Sequence, residues 1–183
     1  AMAVSTAVSA GSFSAFAVAQ CVAYSGSNVN DQDYVQWSDT VKSYLTVCDN
    51  GNYMRVQSGA IKGKLLVEYY SSDFEPLSTK LIDNELPIFG AFYDSGNNYY
   101  VLSGQENPKQ NDSLEVFRIT KYDKNWNKIK SCGLYGANTT VPFDAGSARM
   151  THSGDHLLVR TCHKMYKSSD GNNHQANVTI EVD

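Results

Sequence analysis

The sequence feature that most constrains the fold is an internal repeat. The stretch YDKNWNKI (residues 122–129) has the same pattern as YSSDFEPL, which begins 52 positions earlier. Each copy ends a β-rich run, turns on Ser, Asp or Asn residues around one aromatic side chain, and then begins another strand. We therefore predict that Phe74 and Trp126 occupy the same structural position in successive units, each anchoring a turn against a neighbouring sheet.

A second repeated element is a glycine turn followed by an apolar strand. It occurs in DNGNYMRV from Asp49, in DSGNNYYVL from Asp94 and in HSGDHLLVR from His152. Glycine in a short polar turn before such a strand is typical of a β-hairpin. Together the two elements define a unit of four strands that recurs every ~45 to 58 residues, which is the spacing of propeller blades.

The predicted fold is all-β: a partial β-propeller of about three consecutive four-stranded antiparallel blades, the last one incomplete. The blades span about residues 43–82, 88–135 and 145–183, within a propeller segment of residues 31–183. The predicted strands are YLTV, YMRV, KLLVEYY and LSTKLI in the first blade, FGAFY, NYYVLS, LEVFRITKY and KIKSCGL in the second, and ARMTH, HLLVRT and ANVTIEV in the third.

Three blades do not close a ring, because propellers have about four to eight. Three explanations are open. The chain is a fragment of a longer propeller, or several copies complete a ring, or a strand near Tyr34–Trp37 supplies the missing outer strand as a clasp. Exposed blade faces and edges also predict self-association.

Composition agrees with this fold and excludes two classes of function. Charged residues make up 19% of a chain rich in Tyr, Ser, Asn and Gly, which suits short strands and polar turns. The net charge of −4 lacks the basic surface needed to bind a phosphate backbone, so nucleic acid is not an expected partner. After the first thirty residues, no segment approaches the ~18 consecutive apolar residues of a membrane span.

Residues 1–30 are separate from the propeller segment. Their first twenty residues carry no charge and offer A-x-A sites at residues 15–17 and 17–19, which predicts a secretory signal peptide without its basic start. A linker or tag remnant is the alternative. Export predicts a secreted or cell-surface protein.

Four cysteines are available to such an exported chain: Cys21, Cys48, Cys132 and Cys162. An even number can pair as disulfides in an oxidising compartment. Buried free thiols are the alternative. The wide spacing, without a C-x-x-C pair, disfavours a zinc ribbon.

Four segments carry a resemblance to a known group of proteins. They are NELPIFGAFYDSGNNYYVLSGQEN, KYDKNWNKI, PFDAGSARM and RTCHKMYKSSDGNNHQANVTIEVD. Over about residues 41–183 the chain resembles the repeats of propeller-like proteins secreted by anaerobic, gut-type bacteria. The resemblance implies a propeller fold and export, and it implies no particular activity.

Three long polar segments, residues 103–113, 134–146 and 161–175, are predicted to project from one face of the propeller. Loops on a rigid sheet scaffold often form binding surfaces, although tolerated insertions are the alternative. The candidate ligand-binding residues on this face are Gln105, Glu106, Asn107, Asp144, Arg149, His163, Asp170, His174, Gln175 and Asn177.

His163, Asp170 and His174 are the side chains of this face that could bind a metal ion. Two imidazoles and a carboxylate bind a divalent metal if the loop folds back on itself. Their spacing matches no standard metal motif, so we expect no metal site. Instead, His163, His174 and Asn177 are expected to hydrogen-bond backbone groups within the loop.

Catalytic motifs are missing from the sequence. There is no G-x-S-x-G elbow, and no G-x-G-x-x-G or G-K-[ST] motif, so no cofactor is expected. Glu106 and Asp144 are two loop-face carboxylates of the kind that a glycosidase uses as a pair.

The sequence therefore predicts an exported, non-catalytic propeller segment whose loop face binds a glycan or a surface protein. The alternative is a carbohydrate-active enzyme, a glycoside hydrolase or lyase, with its site at the propeller mouth. A purely structural spacer is a third hypothesis.

Overall fold

The computed structural model describes residues 40–144, 146 and 148–183. These residues form twelve β-strands and no helix, so the all-β prediction is confirmed. The strands are β1 Ser43–Val47, β2 Tyr53–Ile61, β3 Lys64–Tyr70, β4 Pro76–Asp83, β5 Ile88–Asp94, β6 Tyr99–Gly104, β7 Glu115–Tyr122, β8 Lys128–Tyr135, β9 Thr139–Pro142, β10 Arg149–Ser153, β11 His156–Lys167 and β12 Asn173–Val182.

The strands form three antiparallel sheets that follow one another along the chain. Sheet 1 has the order β1-β2-β3-β4, and sheet 2 has the order β5-β6-β7-β8. Sheet 3 has the order β10-β11-β12, with β9 paired to β11. Each sheet is a meander, as in a propeller-like blade. Every predicted strand coincides with an observed one, although β2, β11 and β12 are longer than predicted.

The third sheet begins earlier than predicted, at Thr139 instead of residue 145. The reason is β9, whose Thr139 pairs with Met165 and whose Pro142 pairs with His163. Since β10 pairs with the earlier part of β11, the first strand of this sheet is interrupted after Pro142 and resumes at Arg149. Among the described residues, no strand pairs with the other edge of β12.

The segment 161–175, predicted to be a long loop, is mostly strand. β11 continues to Lys167 and β12 begins at Asn173, so only residues 168–172 form a turn. The buried positions of β11 are Leu157, Val159, Thr161 and His163. The apolar alternation ends at Val159 because the next two inward positions are polar, and the strand therefore looks like a loop in the sequence.

Two hydrophobic clusters hold the sheets face to face. The first lies between sheets 1 and 2 and includes Met54, Val67, Phe92 and Trp126. The second lies between sheets 2 and 3 and is built around Leu102, Phe117 and Val159 among others. Tyr44 on β1 packs against both clusters. The first strand of sheet 1 is therefore close to the place where the three sheets converge.

Four turns share one backbone form, in which the first N–H donates to the fifth carbonyl and the fourth N–H donates to the first carbonyl. They are residues 48–52, 71–75, 123–127 and 168–172. The fourth residue is left-handed in each, with φ of 81° at Gly51, 63° at Phe74, 64° at Trp126 and 85° at Gly171. Glycine adopts this conformation freely, whereas another residue pays about 1–2 kcal/mol. The predicted equivalence of Phe74 and Trp126 is confirmed.

Trp126 anchors its turn between two sheets. The side chain is 4% exposed, and its Nε1–H donates to the hydroxyl of Tyr69 on sheet 1 at 3.0 Å. Its ring centroid lies 5.8, 4.8 and 5.5 Å from those of Phe92, Tyr99 and Tyr122 on its own sheet. The indole therefore fills the space between sheets 1 and 2, as predicted.

Phe74 differs, because it is 52% exposed. Its ring stacks on Tyr53 of the same sheet, with centroids 4.4 Å apart and planes 8° from parallel. The prediction that Phe74 anchors its turn against a neighbouring sheet is therefore wrong for the described residues. Phe74 and Trp126 therefore share a turn conformation, but only Trp126 is covered by a second sheet among the described residues.

Several predictions fall on residues outside the described ranges: the signal peptide or linker of residues 1–30, Cys21, and the clasp strand near Tyr34–Trp37. The three cysteines within the described ranges, Cys48, Cys132 and Cys162, are free thiols and half-buried. None of the described residues belongs to a helix long and apolar enough to cross a membrane.

Candidate functional site

The connections between strands divide the molecule into two ends. Because neighbouring strands are antiparallel, the turn between the second and third strands lies at the same end as the connection to the next sheet. We call this the mouth end. It carries the turns 62–63, 105–114 and 168–172 and the connections 84–87 and 136–138. The five-residue turns that hold Phe74 and Trp126 lie at the opposite end.

A cleft of about 380 Å³ opens at the mouth end, within the size range of small-ligand sites. All three sheets line it, through the following residues: Thr40, Lys42, Ser58, Gly59, Pro87, Ile88, Phe89, Val141, Pro142, Phe143 and Asp144. These residues lie mainly where the first strand of each sheet begins or is interrupted. The polar side chains among them carry one cation, one anion and two hydroxyls.

Phe143 fixes the backbone immediately before Asp144. Its φ is 60°, it is 4% exposed, and its ring makes an edge contact with Phe117 at 5.4 Å between centroids. The ring fits because two facing residues are glycines. A Cβ on Gly104 would lie 2.8 Å from Phe143 Cε2, and a Cβ on Gly90 would be closer still to the same ring. A buried aromatic therefore sets where Asp144 stands.

Asp144 is half-buried and lines the cleft together with Lys42. Its Oδ2 accepts a hydrogen bond of 2.8 Å from Nε2 of Gln175, near the start of β12. Both members of this pair were candidates from the sequence, and the structure brings them together. The amide orients the carboxylate, while Lys42 gives the same cleft a positive charge.

The candidates of the 105–114 turn have different roles. Asn107 is fully buried; its Nδ2 donates to the carbonyl of Asn111 and to the Tyr166 hydroxyl, and its Oδ1 accepts from the Asn111 N–H. Gln105 donates at 2.7 Å to a main-chain carbonyl across the turn. Glu106 is exposed. Asn107 and Gln105 therefore shape the turn, and Glu106 is the one of the three that presents its side chain to solvent.

His163 is a scaffold residue. It is 5% exposed, and its Nδ1 lies 2.6 Å from the Thr139 hydroxyl, which itself donates to the carbonyl of Ala137 at 2.9 Å. A hydroxyl has one proton, so His163 donates from Nδ1 and is the tautomer with a bare Nε2. Burial lowers the pKa of His163 below its ordinary value. The expected backbone partner is wrong, since the partner is a side chain.

Asp170 and His174 face each other across the 168–172 turn, with Oδ2 and Nε2 2.7 Å apart and both side chains about half exposed. The backbone N–H of Asn172, and then His174, lower the pKa of Asp170. Asn177 accepts a hydrogen bond from the Cys162 thiol at 3.0 Å. Both contacts join side chains, whereas the sequence predicted that His174 and Asn177 hydrogen-bond backbone groups.

The three side chains weighed as metal ligands are not assembled into one group. His163 points into the interior, whereas Asp170 is exposed on the 168–172 turn and His174 is exposed near the start of β12. Within the described ranges, the group whose donor atoms lie close enough for one ion is a different one: His156, Glu181 and Asp183, all exposed. Its imidazole is already 3.0 and 2.9 Å from the two carboxylates.

Two features of the mouth end were missed in the sequence. Lys42 and Thr40 lie just before β1. Their position in the sequence could have indicated the site, because the blades of a propeller are arranged around a central channel. Tyr44 packs at the convergence of the sheets. Burial raises the pKa of Tyr44, and the positive charge of Arg149 opposes that rise. Arg149, a candidate from the sequence, is exposed at the start of β10.

Comparison with known proteins adds little to this description. No protein-family model matches the chain, and no curated protein matches it. Among solved structures the chain is similar to a GH43 beta-1,3-galactosidase, with a TM-score of 0.43 and 12% sequence identity over 76% of this chain. The chain spans 30% of the length of that galactosidase. A likeness of this size carries no argument about activity.

Proposed function

We propose that the chain is a segment of an exported, propeller-like protein that binds a glycan, without catalysis, in the cleft at the mouth end. The observation that carries the proposal is the cleft shared by Lys42 and Asp144, to which all three sheets contribute. Polar residues held at one end of a rigid sheet scaffold are a frequent basis of binding sites. Export is proposed from the composition of residues 1–30 alone.

The polar groups of the cleft suit a neutral ligand that is rich in hydroxyls. The Lys42 ammonium is a donor only, and the Asp144 carboxylate is an acceptor only. Thr40 already donates its hydroxyl proton to the Phe89 carbonyl at 3.2 Å, so it can accept from a ligand. A sugar hydroxyl both donates and accepts. A polyanion would be repelled by Asp144, and a polycation would be repelled by Lys42.

The arrangement of carboxylates favours binding over hydrolysis. Most glycosidases use two carboxyl groups, about 5–9.5 Å apart, across the scissile bond. Among the residues that the structure describes, Asp144 is the one carboxylate lining the cleft. Glu106, its partner in the enzyme hypothesis, does not line the cleft and is exposed on the 105–114 turn. We therefore favour a binding module.

An array of neutral oligosaccharides tests this proposal, with calorimetry on any sugar that binds. We expect Asp144→Asn to weaken binding by about tenfold or more, because a charge-assisted hydrogen bond is lost. The matched control is Asp73→Asn, which removes an exposed carboxylate from the turn 71–75 at the opposite end. It should bind like the unmodified chain.

Three results would contradict the proposal. The first is that no oligosaccharide binds, and the second is that Asp144→Asn binds as tightly as the unmodified chain. The third is that the bound oligosaccharide is cleaved, as seen by mass spectrometry, and that cleavage stops in Asp144→Asn. That last outcome would support the enzyme hypothesis instead.

A further inference from the structure

A second cavity lies between sheets 2 and 3, at the end opposite the mouth cleft. Its volume is about 470 Å³, which is within the size range of small-ligand sites. Apolar residues from both sheets form part of its lining: Tyr100 and Ile119 from sheet 2, and Leu157 and Val182 from sheet 3. All four belong to the hydrophobic cluster between these sheets or pack against it. The cavity is therefore an opening at one end of that cluster.

The cavity corresponds to the place that Trp126 fills between sheets 1 and 2. The Trp126 ring contacts Tyr99 and Tyr122, which pair with each other across β6 and β7. Leu157 and Val182 pair in the same way across β11 and β12. Leu157 also follows the glycine of its turn by three residues, as Tyr99 does. The cavity is therefore placed to receive an aromatic ring.

The wall contributed by sheet 2 differs in charge from its counterpart on sheet 1. Tyr69, whose hydroxyl accepts the N–H of Trp126, pairs with Ser78. The residues 52 positions later are Lys121 and Lys130, which also pair with each other and line the cavity. A neutral pair beside the filled site is thus replaced by two cations beside the open one.

The two lysines favour an anionic group in the cavity. Ile119, two residues before Lys121 on β7, faces sheet 3, so the lysine pair faces sheet 3 as well. Like charges directly opposite each other on neighbouring strands are destabilising. Among the described residues, neither ammonium forms an ion pair with a carboxylate. An anion bound between the sheets would neutralise both.

The wall contributed by sheet 3 carries the opposite charge. Asp155, Glu181 and Asp183 line this side of the cavity. Glu181 and Asp183 are already 3.0 and 2.9 Å from the imidazole of His156. Asp155 has no such partner among the described residues. It is therefore the carboxylate of this wall that a cationic group of a ligand can meet.

We propose that this cavity binds a free aromatic amino acid. The ring occupies the place that corresponds to Trp126, the carboxylate pairs with Lys121 and Lys130, and the ammonium pairs with Asp155. The cavity shares no lining residue with the mouth cleft and lies at the other end of the sheets. Amino-acid binding is therefore independent of the glycan proposal.

Calorimetry of the full chain with four indole compounds tests the ring and the two charges separately. Tryptophan carries all three groups, indole-3-propionate lacks the ammonium, tryptamine lacks the carboxylate, and indole lacks both charges. We expect tryptophan to bind most tightly. Tryptamine should bind at least about tenfold more weakly, because it brings a cation to two lysines and offers them no anion. Low salt is used, since Lys130 and Asp155 are exposed to screening.

Two variants assign the charges to their walls. Lys130→Met should weaken the binding of tryptophan and of indole-3-propionate by about tenfold and leave indole unchanged. Asp155→Asn should weaken tryptophan but not indole-3-propionate, which has no ammonium. The matched control is Lys109→Met, which removes an exposed lysine from the 105–114 turn at the mouth end. It should bind tryptophan like the unmodified chain.

Three results would overturn the proposal. The first is that none of the four compounds binds, and the second is that Lys130→Met binds tryptophan as tightly as the unmodified chain. The third is that a peptide of residues 122–129, with both ends blocked, displaces tryptophan and binds more tightly. The cavity would then receive the aromatic turn of a protein, as the space between sheets 1 and 2 receives Trp126.

Discussion

Truncating Trp126 and Phe74 to alanine separates the effect of burial from the effect of the turn. The two residues share the same turn and nearly the same φ, 64° and 63°. Alanine keeps the Cβ, so the backbone strain stays the same in both variants. The difference in their stability losses therefore measures what sheet 1 contributes around Trp126.

The magnitudes follow from the contacts of each ring. Trp126 is 4% exposed, and its truncation removes three ring contacts and the hydrogen bond to Tyr69. A change of a buried Trp to Ala lowers the free energy of unfolding by about 3–5 kcal/mol. Phe74 is 52% exposed and loses one stack on Tyr53, which amounts to about 1–2 kcal/mol. We expect the free energy of unfolding to differ between the variants by about 2–3 kcal/mol.

Urea denaturation followed by far-ultraviolet circular dichroism measures this difference, because removing Trp126 also removes a fluorophore. With a urea dependence of about 1–3 kcal/mol/M, the midpoint of Trp126→Ala should lie about 1 M or more below that of Phe74→Ala. Equal midpoints would refute the reasoning, since they would mean that sheet 1 does not cover Trp126.

Two further predictions concern buried residues near the mouth end. Gly90→Ala places a Cβ against the ring of Phe143 and should cost about 1–3 kcal/mol in thermal denaturation. The cost should shrink in a Phe143→Leu background, and an equal cost in both would argue against the clash. Burial lowers the pKa of His163 in the folded state, so below its ordinary value of 6.5 the unfolded chain binds a proton that the native state does not. Stability should therefore fall as pH drops through that range, and His163→Gln should flatten the dependence; parallel profiles for both chains would contradict it.

The strands and turns of sheets 1 and 2 were predictable from the sequence because the repeat reports local chemistry. A β-rich run, a polar turn and a left-handed aromatic at Trp126 are encoded within a few neighbouring residues. The hairpins after Asp49 and Asp94 follow from glycine in the same way. Local physics of this kind needs no knowledge of the rest of the chain.

Other features depend on the assembled sheets and were not predictable. The burial of Trp126 and the exposure of Phe74 arise from what stands beside each sheet, although both turns have the same form. Thr161 and His163 occupy inward positions of β11, so polarity there suggested a loop.

The cleft was missed for a related reason. Lys42 and Asp144 are distant in the sequence, and they line the same cleft only because the three sheets converge there. Gln175 and Asp144 were both candidates, but their contact required the register of sheet 3. Such a convergence depends on how the three sheets pack together, and no short segment of the sequence encodes it.

The break between β9 and β10 has a consequence for how this architecture can diversify. Asp144 lies between β9 and β10, outside the strand pairings on either side, so the requirements of strand pairing do not restrict which residue type stands there. Phe143, one residue earlier, is locked into the interior and holds the backbone in place through such changes. A buried anchor at Phe143 beside a replaceable residue at position 144 would let this fold change its ligand while its sheets keep their structure.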